Sequence, residues 1–215
     1  MNWGWVSRNS DKIIDYLIAH IWLAGIPTVL GLLLAIPLGA LARRYRWLYP
    51  PLITTAGLLY TIPSLALFIV LPGVIGTKIL DPLNVVVALT IYTVALLVRV
   101  VADALASVPP DVRASATAMG YKPLRRLFTV ELPIATPVIG AGLRVAAVSN
   151  VSLASVAAVI GVAQLGSLFT EGFQLDFFTP IVVGVVLCLL LAVVFDLIIV
   201  TSVRLATPWA RAGRT

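Results

Sequence analysis

The sequence predicts an all-α integral membrane protein with about five spanning helices and one amphipathic surface element between the third and the fourth. Three observations carry this. The chain of 215 residues is 60% hydrophobic and only 11% charged, with a mean hydropathy of +1.07, whereas soluble domains are about 45–50% apolar and about 25% charged. Its apolar residues fall into long runs, each near the roughly 20 residues that a helix needs to cross a bilayer. Between the third and fourth runs lies a basic stretch, 109–133, rich in helix start and stop residues.

The net charge of +6 has no soluble domain to present it to nucleic acid, so it reads as loop charge that sets orientation. Cys188 is the single cysteine and lies in an apolar run, which excludes an internal disulfide and a cysteine metal cluster. His20, also single, reads as an interface or helix-packing residue. Neither GxxxxGK[ST], HExxH, a paired-Cys motif nor GxSxG occurs. No catalytic residue, metal ligand or bound cofactor is therefore expected, and the chain is not expected to hydrolyse ATP alone. The first apolar run is too long for a cleavable signal.

Residues 1–12 are polar and carry Trp3 and Trp5, which suit an interfacial belt. The first span is expected at about 13–42, with Pro27 and Pro37 tolerated as kinks. Arg43, Arg44 and Arg46 follow. The second span is expected at about 52–71. Pro63 interrupts it, and the hydroxyls of Thr61 and Ser64 can satisfy freed backbone groups. A Pro- and Gly-rich loop covers 72–83. The third span runs over about 84–105, where Arg99 and Asp103 sit four apart on one helix face and can pair.

Residues 106–135 form the surface element. Pro109 and Pro110 stop the preceding helix. Asp111 is the expected N-cap, Val112–Met119 form two turns, and Gly120 stands just past the end. Pro123 opens a second short helix carrying Arg125 and Arg126 beside Leu124, Leu127, Phe128 and Val130, and Pro133 limits its length. A helix–Gly–helix with exposed charge and an apolar underside lies on a membrane rather than through it. It offers a handle to a soluble partner.

The fourth span, about 136–162, is dense in Gly, Ala and Ser, which let helices approach closely. It is expected at the bundle centre or a subunit interface. Its polar exceptions, Arg144 and Asn150, either line a path or, for Arg144, tie to Asp103 or Asp196. Residues 163–179 read as a loop, with Gly161 just before it and Gly166 and Gly172 within it permitting turns. The fifth span covers about 180–205. No repeat or linker divides residues 1–215, which read as one transmembrane unit.

Five spans place the ends on opposite sides. One side holds Arg43, Arg44, Arg46, Arg113, Lys122, Arg125, Arg126, Arg204, Arg211 and Arg214; the other holds Arg8, Lys12 and Lys78. The positive-inside rule then puts the N-terminus outside and residues 106–135 and the C-terminus in the cytoplasm.

Gly120, nine residues, then Val130-Glu131-Leu132-Pro133 resemble the cytoplasmic coupling loop of bacterial ABC importer permeases. In that family Glu-Ala-Ala begins six residues before the Gly. Here that triplet is Ala114-Ser115-Ala116, so Ala116 matches and the Glu is replaced. With Asp111 as N-cap, Ala114 is N3, where a Glu would complete a capping box. Thr61-Ile62-Pro63-Ser64-Leu65-Ala66-Leu67 resembles the same segment in the osmoprotectant branch, which imports glycine betaine, choline and carnitine.

The resemblance implies a type I ABC importer permease fold in the bacterial plasma membrane. It implies a second permease subunit, identical or homologous, ATPase subunits that hold ATP and Mg, and an external substrate-binding protein. It makes Asp111, Ala114, Ala116, Gly120, Arg125, Leu132 and Pro133 ATPase-coupling residues. Tyr60, Pro63, Ser64, Arg99, Arg144 and Asn150 are candidates for the translocation path. Methionine or another amino acid is the alternative substrate. An ion-driven transporter or channel is the alternative class, although such proteins often show repeats, and the carboxylates Asp103 and Asp196 are expected near helix ends.

Overall fold

The computed structural model describes residues 2–209; Arg211 and Arg214, counted above for orientation, lie outside the described residues. The chain opens with α1 (Trp3–Arg8), whose first turn is capped by the Asn2 side chain accepting from the Trp5 N–H at 3.0 Å. Helix α2 (Ser10–Arg44) has 35 residues, about 52 Å at 1.5 Å per residue. Pro27 and Pro37 lie inside it without ending it. Arg43 and Arg44 close its last turn, where cations suit the helix dipole.

The single span expected at 52–71 is instead two helices, α3 (Tyr49–Thr61) and α4 (Ser64–Ile75), bent by 104°. The cause is local. A residue before proline is pushed out of the helical region, and Ile62 accordingly adopts φ −65°, ψ 130°. Of the two hydroxyls expected to help, Thr61 donates to the Leu58 carbonyl at 2.7 Å. The Ile62 carbonyl is taken by the Tyr92 hydroxyl. Ile62, Pro63 and Tyr92 thus fix the break together.

Helix α5 (Pro82–Ala106) starts at Asp81, which accepts from the Leu83 N–H at 2.9 Å. Helices α6 (Pro110–Ala118) and α7 (Pro123–Arg126) make up the surface element. A π turn (Leu127–Glu131) then joins α7 directly to α8 (Leu132–Ser155), so Pro133 does not end the second short helix. In the wider turn the Leu132 N–H reaches back to the Leu127 carbonyl, and the proline ring enters at the start of α8, where its missing N–H is not needed. A 3-10 turn (Val156–Ile160) follows.

The region expected as a loop, 163–179, contains α9 (Ser167–Gln174), before α10 (Phe178–Ala206). Gly161 does take a left-handed turn, φ +85°. Gly166 and Gly172 serve close packing instead. A Cβ on Gly166 would sit 2.1 Å from the Ser155 carbonyl oxygen, and one on Gly172 would sit 2.5 Å from Ile181.

The centre of the bundle is α5 rather than α8. Some 56% of the most apolar window of α5 is buried, against 33% in the stretch containing α8 and 11% in α10. Helix α5 packs between α2 and α8, with Ala35, Leu97, Val101, Leu105, Ile139 and Ala146 in one core. Small residues allow this approach: a Cβ on Gly31 would meet Thr93 at 2.3 Å, and one on Gly142 would meet Val100 at 2.7 Å. Among the described residues four helices are each long and apolar enough to span a membrane, and the count is five if the bent α3–α4 pair is taken as one broken span.

Candidate functional site

Pro109 is extended (ψ 135°) and is itself the N-cap of α6, with Pro110 at the first helical position, where its fixed φ suits a helix start. Asp111 is therefore not the N-cap but the second residue of the helix. Its carboxylate makes no capping bond and acts only through the dipole. Ala114 moves from N3 to N5, exposed and out of reach of a capping box. The end of α6 is a full Schellman motif. The Gly120 N–H reaches the Thr117 carbonyl at 2.9 Å and the Tyr121 N–H reaches Ala116 at 3.1 Å, with Gly120 at φ +82°. Ala116 is the buried residue of α6, and Met119 at its end is 70% exposed. The helix turns nearly all its surface outward.

The element is tied to the bundle through a carboxylate that the sequence reading passed over. Glu131 is 1% exposed. Arg126 donates to it from Nε at 2.8 Å, and Arg43, at the end of α2, donates to its other oxygen. The Arg126 Nη1 also donates to the Thr117 hydroxyl at 2.6 Å. Thr117, Arg126, Glu131 and Arg43 therefore link α6, α7, the π turn that leads into α8, and α2. A buried carboxylate needs such partners, because its desolvation is repaid only by close opposite charge. The signal was present: Glu131 is the only acid between Asp111 and Glu171, five residues after Arg126. Arg125 lies over the Tyr121 ring at 5.0 Å, and Leu132 packs against the α2–α5–α8 core with Pro133 half-buried beside it.

The candidate path residues fall into separate groups. Tyr60, Pro63 and Ser64 surround the break. Tyr60 is 44% exposed and stands edge-on to Tyr92, centroids 5.8 Å apart. Arg99 pairs with Asp103 at 3.6 Å on an exposed face, and Tyr49 donates to Asp103 at 2.7 Å. Arg144 forms a bidentate pair with Asp196 at 2.6 and 3.0 Å. Asp196 lies ten residues before the end of α10 at Ala206, about 15 Å along the helix, rather than near its end. Asn150 is buried and donates to the Thr28 and Thr93 hydroxyls at 2.9 and 2.8 Å, fastening α8 to α2 and α5. His20 is a packing residue: its ring nitrogens lie 2.9 Å from Gln164 Oε1 and 3.0 Å from the Val151 carbonyl oxygen. Among the described residues no three His, Cys, Asp or Glu are grouped to hold a metal ion.

Residues 28–209 match the family described as binding-protein-dependent transport system inner membrane component. The chain belongs to this family. It is 37% identical over 191 residues to the osmoprotectant import permease protein OsmW of Salmonella typhimurium, covering 87% of this chain and 88% of that one. It is 29% identical over 203 residues to the glycine betaine/carnitine/choline transport system permease protein OpuCD of Bacillus subtilis, covering 94% and 87%. Its fold matches the MetNI methionine ABC transporter in an inward-facing conformation, with TM-score 0.79, 19% identity, and 91% and 96% of the two chains covered.

As an inner-membrane component of this family, the chain is a multi-pass membrane protein with the type I ABC importer permease fold. Its buried polar residues join helices: Asn150 ties α8 to α2 and α5, and Glu131 ties the foot of α8 to α2 and α7. The Thr117–Arg126–Glu131–Arg43 chain of hydrogen bonds connects α6 with the start of α8 and the end of α2.

Proposed function

We propose that the chain is the permease subunit of an ABC importer for osmoprotectants carrying a trimethylammonium group, such as glycine betaine, choline or carnitine. The observation that carries this reading is the 37% identity along nearly the whole chain to an osmoprotectant permease. The similarity to MetNI, at 19% identity, speaks for the fold alone. The exposed Tyr60 ring beside the break at Pro63 adds support, since such a cation favours an aromatic face.

In this reading residues 1–215 act as one transmembrane unit with a second permease copy, identical or homologous. An external binding protein delivers the substrate, and ATP and Mg are held by separate ATPase subunits. Helix α6 enters the ATPase groove from the cytoplasm, Asp111, Ala114 and Arg125 facing it. Ala116, Gly120, Leu132 and Pro133 hold the element's shape. Nucleotide-driven closure of the ATPases biases a two-state bundle through Arg126 and Glu131. Tyr60, Pro63 and Ser64 face the path, Arg144 and Asn150 join the helices around it, and Arg99 stays paired with Asp103 on an exposed face. The N-terminus lies outside.

The test is co-purification in mild detergent followed by uptake in liposomes. A Walker-motif ATPase should co-purify and be lost when residues 111–120 are scrambled, and labelled glycine betaine or choline should enter only with ATP inside the ATPase compartment. ATP-independent uptake by the chain alone would overturn the importer reading. ATP-driven uptake of methionine but not of the quaternary amines would keep the importer and overturn the substrate.

A further inference from the structure

A second feature lies beside the coupling element and shares Arg126 and Glu131 with it. Between the C-terminal third of α2 and the α7–π-turn segment is a cavity of about 1140 Å³, above the roughly 300–1,000 Å³ of small-molecule sites. One end is lined by Arg43, Arg44, Arg46, Arg113 and Arg126, with Glu131 as the acid among the lining residues. Arg43 and Arg126 are already paired with Glu131. Among the described residues Arg44, Arg46 and Arg113 have no carboxylate partner; Arg44 lies over the Tyr45 ring at 5.5 Å. The other end is apolar, with Leu33, Ile36, Leu41, Leu124 and Phe128.

The two ends are arranged along the axis of α2, Leu33 and Ile36 toward one side and Arg43 and Arg44 at its C-terminal end. From Leu33 to Arg44, helix α2 rises about 16 Å. Tyr45 and Trp47, 41% and 72% exposed, stand beside the arginines, and exposed Tyr and Trp mark the headgroup level. The occupant must therefore carry negative charge at headgroup level and an apolar tail that runs toward the bilayer centre. A small anion leaves the apolar wall bare.

The geometry points to an anionic phospholipid as the occupant, its headgroup phosphate held by Arg44, Arg46 and Arg113 and one acyl chain laid along Leu33, Ile36 and Phe128. Basic pockets between spanning helices at the membrane surface favour such headgroups. The site needs no statement of which side is cytoplasmic and does not rest on the substrate or the ATPase.

The test is native mass spectrometry of the full-length chain, purified with its complex, delipidated in detergent and offered phosphatidylglycerol or phosphatidylcholine with the same acyl chains. Phosphatidylglycerol should be retained on the order of tenfold more tightly than phosphatidylcholine. The R44Q/R46Q variant should lose about 30-fold of that retention, about fivefold per arginine, while R44K/R46K keeps it. If R44Q/R46Q does not fold, R46Q alone should show the fivefold loss. Equal retention of the two lipids, or unchanged retention in the Gln variants, overturns the proposal. So does displacement of the lipid by millimolar glycerol 1-phosphate, which would make this a site for free anions.

Discussion

Arg126 holds Glu131 at 2.8 Å through Nε and the Thr117 hydroxyl at 2.6 Å through Nη1, so one side chain joins the surface helix to the foot of α8. Glu131 is almost fully buried, and breaking a buried ion pair by removing one partner costs on the order of 3–5 kcal/mol. Glu131→Gln should therefore lower the melting temperature in detergent sharply. Replacing both partners by apolar residues is often nearly neutral, so E131M/R43M should recover most of the loss, Arg126 being free to turn toward water. An unchanged melting curve for Glu131→Gln would mean that the network contributes nothing to holding α6.

Gly120 presents a cleaner case. A Cβ there would meet nothing within 4 Å, yet φ is +82°. The demand is on backbone conformation alone. Gly120→Val should cost about 1–3 kcal/mol locally and deform the end of α6, abolishing uptake while the protein still inserts into the membrane. Gly120→Asn, which tolerates the left-handed region, should keep most of the uptake. Membrane-fraction blots read alongside transport separate the two effects. Equal activity in both variants would remove Gly120 from any role in shaping the handle.

Sequence alone was enough for the long apolar helices and for the Schellman end at Gly120, because bilayer thickness and left-handed backbone leave plain marks on composition. It misled where the outcome depends on neighbours. Asp111 looked like a cap, but the helix starts at Pro110, two residues earlier than that cap would allow. Pro133 looked like a stop, but the π turn absorbs it. The Gly166–Gly172 region looked like a loop because Gly at a tight contact and Gly at a turn read alike. Pro63 was correctly read as an interruption, yet its angle follows from the conformation of Ile62 and the reach of Tyr92 from α5. Glu131 entered only as a member of the loop motif, with no role of its own, because its partner Arg43 is 88 positions away in sequence.

The corrected position of Ala114 changes what a substitution there should do. As an exposed residue at N5 it cannot join a capping box, so Ala114→Glu should shift stability by less than about 0.5 kcal/mol. A melting curve checks this, and a stabilisation well above that size would return Asp111 to the N-cap. With stability unchanged, any change in ATP-driven uptake reports on the fit of the side chain to its partner. Uptake preserved or improved is the expected result, since the coupling loop that this stretch resembles carries Glu at this position.

Arg144 and Asp196 lie far from both ends of their helices and pair through two bonds, 2.6 and 3.0 Å. Ionisable residues at that depth are costly in lipid, and pairing is their usual remedy. Removing one charge leaves the other without its partner between α8 and α10. Arg144→Gln and Asp196→Asn should each reduce the amount of folded protein recovered from membranes, and R144Q/D196N should recover more than either alone. Arg144→Lys should fall short of wild type, because an ammonium cannot reproduce the parallel pair of bonds. If the pair only joins helices, uptake per folded molecule in R144Q/D196N matches wild type. If Arg144 also meets substrate, the double variant folds normally and still loses uptake, with a rise in the substrate concentration needed for half-maximal rate.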